Sequence, residues 1–454
     1  FVRPQGFWLT LTILRHAIER VSTQILAPFL LQQMTDAVTR EGLSSLSRWL
    51  YVAGALLLVD AGSALMGRRA LARYTAYTIL DLRNAVTAHM QRLPMGYLEN
   101  QRTGDLVSRL NSDVGKIEGW LPTVRELIIQ PLVFVIGIVY MVTISWKLLL
   151  ASSILIPVSA ILYNRVSKPM ETIARRQAES EGKTNAALQD MLASIVAVKA
   201  FNLQEILGRR FRTTAKDVER QALRLDWRRA VFIAVYLALR YIPQLIVPLY
   251  GGYLAFRGEI TVGELMAANL VIWMVFLPIE QLLNFIGNTR ATLPSVERLT
   301  DLLDEAPEPA GQVPYRAQPE APPIRFQDVA FAYDEQTPLL HDITFEAAPG
   351  ETIAVVGASG CGKSTLLKLL GGFYPAQAGA ISICGNDLST TDLEGIRRQI
   401  AMMTQETYLF PTTIAENIAY GRPEATKAEI EAAARAANAH DFIMGQPDGY
   451  QTQV

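Results

Sequence analysis

The sequence predicts a multidomain membrane protein: an all-α domain of six transmembrane helices with long cytoplasmic helical extensions, then a smaller α/β domain. Three observations lead there. Half of the 454 residues are hydrophobic and 19% are charged, against ~25% charged in ordinary soluble chains. The long apolar runs fall in the first two thirds, and mean hydropathy is +0.19. After a proline-rich stretch at 304–323 the pattern changes to short strands around a glycine-rich loop. This composition excludes disordered and disulfide-stapled chains. Charge nearly cancels, with 42 Lys+Arg against 43 Asp+Glu, so no nucleic-acid partner is expected. The two cysteines, Cys361 and Cys384, stand in no metal-ligand spacing.

A helix needs about 20 apolar residues to cross ~30 Å of hydrocarbon. Six runs qualify as candidates, near 10–36, 47–67, 121–143, 145–164, 230–256 and 262–287. The first carries Arg15, His16, Glu19 and Arg20, which are expected at an interface where long side chains snorkel. The connections alternate in size: about fifty residues join the second and third runs and about sixty-five the fourth and fifth, both rich in Arg and Lys. The positive-inside rule places both in the cytoplasm. Six crossings then leave the last third of the chain on the same side, and a bacterial inner membrane is the expected location. Within the second long connection Ala186, Leu188, Met191, Leu192, Ile195 and Val198 recur at helical spacing. The spanning helices are therefore expected to run on into the cytoplasm; two separate helical hairpins under the membrane are the alternative. Asp60, Arg240 and Glu280 lie at depth. Ionisable groups there contact a polar substrate or pair with one another. Gln24, Gln32, Gln33, Tyr241, Gln244 and Asn284 are further candidates to line a polar route.

The prolines of 304–323 make a semi-extended linker between a domain at 1–303 and one at 324–454. Residues 324–333 alternate like a strand, 339–347 read as a second, and 349–357 read as a short buried strand entering the loop. Helical patterns follow at 363–370, stopped by Gly371 and Gly372, then at 394–403 and 427–442.

The loop meets the pattern G-x-x-x-x-G-K-[ST] with Gly357, Gly362, Lys363 and Ser364. Gly357, Ala358, Ser359, Gly360, Cys361 and Gly362 can curl so that successive N–H groups form an anion nest. A helix starting near Lys363 adds donors and its positive dipole end. Lys363 supplies a mobile charge for β- and γ-phosphates, the Ser364 hydroxyl can ligate Mg²⁺, and Thr365 is placed for the α-phosphate side. The loop points to a P-loop NTPase fold binding ATP with Mg²⁺. Cys361 reads as a small filler.

These residues carry a family resemblance over nearly the whole chain. VAFAY, LLHDITFEAAPGETIAVVGASGCGKSTLLKLLGGFYPAQAG and IAMMTQETYLFPTTIAENIAYG in the last third, with GYLENQRTGDLVSRLNSDV and LASIVAVKAFNLQE before it, resemble a half-transporter of the ATP-binding cassette superfamily, exporter type. The resemblance implies that Tyr333 stacks on adenine. It also implies that Gln405 contacts Mg²⁺ and the attacking water, joining Lys363 as a catalytic residue. It implies that 104–110 and 196–205 are coupling helices, and that two halves pair, as a homodimer or heterodimer, around ATP. Cargo is unspecified.

The chain departs from the family pattern at its end, DGYQTQV. The family's signature sequence, second carboxylate motif, adjacent glutamate and switch histidine would follow, so the α/β domain is expected to be truncated here. Export by an ATP-hydrolysing translocase is the leading reading. An importer of a metal chelate and a regulatory half that holds ATP without consuming it are the alternatives.

Overall fold

A computed structural model describes residues 5–41, 46–101, 103–309, 311–334, 337–403 and 407–454. The side chains at 40–41, 155–160, 162–164, 166–171, 236, 238–240 and 283 fall outside that description. The described residues up to Asp304 fall mostly in helices: α1 (Gly6–Arg20), a π-helical turn (Val21–Leu26), α2 (Ala27–Glu41), α3 (Leu46–Met90), α4 (Met95–Asn100), α5 (Thr103–Ser108), a second π turn (Arg109–Asp113) and α6 (Val114–Trp120). A 3₁₀ turn (Leu121–Thr123) leads into α7 (Val124–Ser153), α8 (Leu155–Ala193), α9 (Ile195–Ala200), α10 (Gln204–Phe256) and α11 (Val262–Asp304). The remainder holds β1 (Ile324–Asp334), β2 (Thr337–Ala347), α12 (Lys363–Leu370), β3 (Ala378–Ile383), β4 (Asn386–Asp387), α13 (Leu393–Arg397), α14 (Ile414–Ala419), α15 (Lys427–Ala436) and α16 (His440–Met444). The chain divides into two compact units, 1–87 with 107–302, and 88–106 with 303–454.

In the first unit α3, α8, α10 and α11 are single helices of 45, 39, 53 and 43 residues. At 1.5 Å per residue each exceeds the ~30 Å of a hydrocarbon layer, as continued helices require and separate hairpins do not. Among the described residues three helices are long and apolar enough to cross a membrane, Leu46–Met90, Thr103–Ser153 and Val262–Asp304. They contain the second, third and sixth expected runs. The short connection expected between the third and fourth runs is one extended residue, Ser145, at φ −164° and ψ 114° inside α7. The core joins α7, α10 and α11 through Met141, Leu148, Val247, Leu254, Val271, Ile272 and Met274. Gly137 permits a close approach of α7 and α11, since a Cβ there would lie 2.6 Å from Met274 Cβ.

Polar contacts fix the helix ends. Asp36 of α2 accepts from the Gly263 N–H at 3.1 Å and the Thr261 hydroxyl at 3.0 Å, which caps the start of α11. Asp113, buried in the second π turn, accepts two bonds from Arg298 of α11, at 2.9 and 2.5 Å. The Trp120 indole N–H reaches Thr289 at 2.9 Å.

The second unit carries an antiparallel sheet in the order β2-β1-β3-β4. Phe326, Val329, Phe331, Leu340 and Ile381 face Leu366 and Leu369 of α12, so the helix following the loop lies on the sheet. Three sequence expectations are corrected. Residues 351–357 form no strand, and Ile353, Val355 and Val356 are exposed, Val356 by 87%. A continuous apolar run is a buried strand only when neighbours pair on its edges and helices cover its faces; among the described residues no strand pairs with it. The helix expected at 394–403 is confined to Leu393–Arg397, capped by Asp392. The one expected at 427–442 divides, because Asn438 takes a left-handed φ of +56° between α15 and α16.

Candidate functional site

The loop from Gly357 to Gly362 lies immediately before α12, with Gly357–Cys361 exposed. Gly360 and Gly362 are left-handed, at φ +85° and +96°, a conformation that costs other L-residues ~1–2 kcal/mol. Gly362 is also the N-cap of α12, so the chain reverses and enters the helix within one residue. The first N–H groups of α12 have no acceptor within the helix, and its positive dipole end faces the loop. Lys363 Nζ donates to the carbonyls of Gly357 at 2.9 Å and Ala358 at 2.8 Å, and lies 3.8 Å from Cys361 Sγ. Its charge thus sits over the concave side of the loop. Ser364 is exposed and Thr365 buried. A glycine-rich loop at a helix N-terminus, a lysine ammonium and an exposed hydroxyl together suit a polyphosphate with a hard cation. The residues present fit ATP and Mg²⁺, and Ser364 carries the exposed hydroxyl that would face the metal. Among the described residues no group of three His, Cys, Asp or Glu converges as a metal site. Gln405 lies outside the described residues.

Tyr333, at the end of β1, is brought to this loop: its hydroxyl lies 3.2 Å from Thr365 Oγ1. The residue is 52% exposed, and its ring stands edge-to-face with Phe331 (4.9 Å, 85°) and Tyr374 (5.2 Å, 89°). Lys368 Nζ lies 5.8 Å from the ring centroids of both Tyr333 and Tyr374. Sequence reasoning missed the group that holds these neighbours. Glu99 of α4 accepts from Lys368 Nζ at 2.8 and 3.0 Å and from the Tyr374 hydroxyl at 2.7 Å. The Lys368 hydrogen bond holds the Glu99 carboxyl below the usual carboxylate range, and the same bond raises Lys368. Burial, then the bond to Glu99, raises the Tyr374 hydroxyl. Glu99 stands in the GYLEN segment, but nothing local in the sequence pairs it with a lysine 269 residues away.

In the helical unit His16 is buried, with Nδ1 3.2 Å from Glu19 and Nε2 3.3 Å from Glu126, and Arg15 pairs with Glu19. The charges of the first run therefore pair with one another and with α7. Asp60 Oδ1 and Gln24 Oε1 are buried without a hydrogen-bond partner among the described residues. The side chain of Arg240, and with it the pairing weighed against Glu280, lies outside the described residues. Tyr241, Gln244, Leu245, Pro248, Leu265, Met266 and Asn269 line an open groove of about 610 Å³ between α10 and α11.

Comparison with known proteins places these features. Residues 12–279 match the family profile of the ABC transporter transmembrane region, and residues 340–451 match that of the ABC transporter domain. The chain is 32% identical over 426 residues to a fatty acid ABC transporter ATP-binding/permease protein of Mycobacterium bovis, covering 93% of this chain and 66% of that protein. It is 30% identical over 460 residues to an ATP-dependent lipid A-core flippase of Xanthomonas campestris, covering 100% of this chain and 77% of that one. The fold matches a bacterial Atm1-family ABC exporter solved with ATP bound, at a TM-score of 0.78 and 24% identity, over 100% of this chain and 80% of that one. The two profile matches, the first over more than half of the chain, and these relatives make this chain a member of the ABC transporter family, of the half-transporter exporter type.

Proposed function

We propose that the chain is one half of a dimeric exporter that couples ATP hydrolysis to the movement of a lipid-like amphiphile across a bacterial inner membrane. The observation that carries the ATP-driven part is the loop at 357–362, with Lys363 over its concave side and α12 behind it. The names of the two relatives, a fatty acid transporter and a lipid A-core flippase, favour a lipid class. The groove between α10 and α11 agrees: apolar walls with the neutral hydrogen-bonding groups of Tyr241, Gln244 and Asn269 suit an acyl body with a polar head.

The residues act as follows. The loop amides and α12 hold the β- and γ-phosphates, and Lys363 leaves its carbonyl partners to neutralise them. The Tyr333 ring stacks on adenine, a recognition that needs only a π-face. Ser364 would hold Mg²⁺, which when bound would offset charge on the phosphate oxygens; Gln405 is proposed to share that task. Water attacks the γ-phosphorus, the bond to the β–γ bridging oxygen breaks, and ADP, phosphate and a proton leave. Catalysis of this step rests on positioning and electrostatics. Transport follows if ATP binds one arrangement of the dimer more tightly than the other, since equal affinity moves no equilibrium. The 104–110 and 196–205 segments are proposed to pass that change to the spanning helices, six in number by this reading.

The test is MgATP binding and vanadate-sensitive hydrolysis by the full-length protein in lipid nanodiscs. Lys363→Ala is expected to abolish hydrolysis; unchanged turnover would overturn the site.

A further inference from the structure

We propose that Glu99 is a positioning residue for the nucleotide base: by holding Lys368 and Tyr374 it sets the ring of Tyr333. The proposal rests on the reading of Tyr333 as the base-stacking aromatic. One carboxylate engages both neighbours, with three hydrogen bonds of 2.7–3.0 Å. A lysine on a four-carbon stem is otherwise free to swing. Here its ammonium is pinned 5.8 Å from the Tyr333 and Tyr374 rings, within the range of a cation–π contact. The Tyr374 ring, fixed through its hydroxyl, stands edge-to-face at 89° against Tyr333, which remains exposed.

Two features make α4 a firm support for that carboxylate. Gly96, one turn before Glu99, lets the helix lie on the tyrosine, since a Cβ there would be 3.2 Å from Tyr374 Cε1. The segment before α4 is tied down too: the Glu308 N–H donates to the Arg92 carbonyl at 2.6 Å, and Glu308 takes Arg397 in two bonds. Without Glu99, Lys368 becomes a mobile cation about one and a half turns along α12 from Lys363, and the Tyr374 ring loses its anchor. The phosphate loop itself is untouched, so the effect falls on the base and not on the phosphates.

The experiment measures dissociation constants of MgATP and of magnesium tripolyphosphate, which has no base, for the full-length protein in nanodiscs. Glu99→Ala is expected to weaken MgATP about tenfold and to leave tripolyphosphate within about twofold. Tyr374→Phe, which removes only the hydroxyl, is expected to weaken MgATP about threefold. In a Tyr333→Ala background the Glu99→Ala change is expected to add nothing, since the ring it positions is gone. Equal weakening of both ligands, or full additivity with Tyr333→Ala, would assign Glu99 a merely structural role and overturn the proposal. If the wild type binds MgATP and Glu99→Ala binds it equally well, this proposal alone fails; if the wild type binds no MgATP, the nucleotide reading fails with it.

Discussion

Two glycines of the phosphate loop are both left-handed, yet the structure separates them. At Gly360 a Cβ would meet nothing within 4 Å, whereas at Gly362 it would lie 2.6 Å from Leu340 Cδ2 and 3.4 Å from Leu339 Cγ. Replacing either by alanine forces a left-handed L-residue, at ~1–2 kcal/mol. Only Gly362→Ala adds overlap with a buried leucine of the sheet, an overpacking of ~1–3 kcal/mol. The loop conformation should therefore cost about 2–5 kcal/mol in Gly362→Ala and about 1–2 kcal/mol in Gly360→Ala. At ~1.4 kcal/mol per decade, the overpacking share of ~1–3 kcal/mol should lower nucleotide affinity a further ~5-fold or more in Gly362→Ala. The assay is a MgATP titration of both variants beside the wild type, with thermal unfolding to show that each is folded. A third variant, Gly362→Ala with Leu340→Ala, makes room for the methyl and should recover the overpacking share but not the backbone share. Equal losses in the two single variants, or no recovery in the double, would refute the reasoning.

Two other predictions concern stability. Arg298→Ala strips two hydrogen bonds from the buried carboxylate of Asp113 and should destabilise the helical unit by ~2 kcal/mol, read as a lower Tm in detergent; an unchanged Tm would show that Asp113 finds other partners. The start of α15 should be acid-sensitive. The Thr426 N–H and hydroxyl, then Arg422, hold the Glu429 carboxyl at about 2, below its ordinary 4.5. A carboxyl depressed by folding stabilises fully above its unfolded value, and the contribution fades as pH falls from about 4.5 towards 2. Amide exchange across Lys427–Ala436, corrected for intrinsic rate, should rise over that window; in Glu429→Gln the rise should vanish.

The sequence by itself determined what depends on local order. Apolar runs of spanning length, the proline-rich linker, the alternation of 324–333 and the G-x-x-x-x-G-K-[ST] spacing are each short-range patterns, because helix, strand and phosphate loop are specified by neighbours a few residues apart. It was also enough to identify the superfamily. Only the tertiary structure decided pairings across long separations: Glu99 with Lys368 and Tyr374, Asp113 with Arg298, and the leucine that makes Gly362 stricter than Gly360. It also denied a strand to 351–357. The physical reason is common to all of these. A carboxylate's partner, a glycine's spare volume and a strand's neighbours are set by what packs opposite, and no spacing along the chain encodes that.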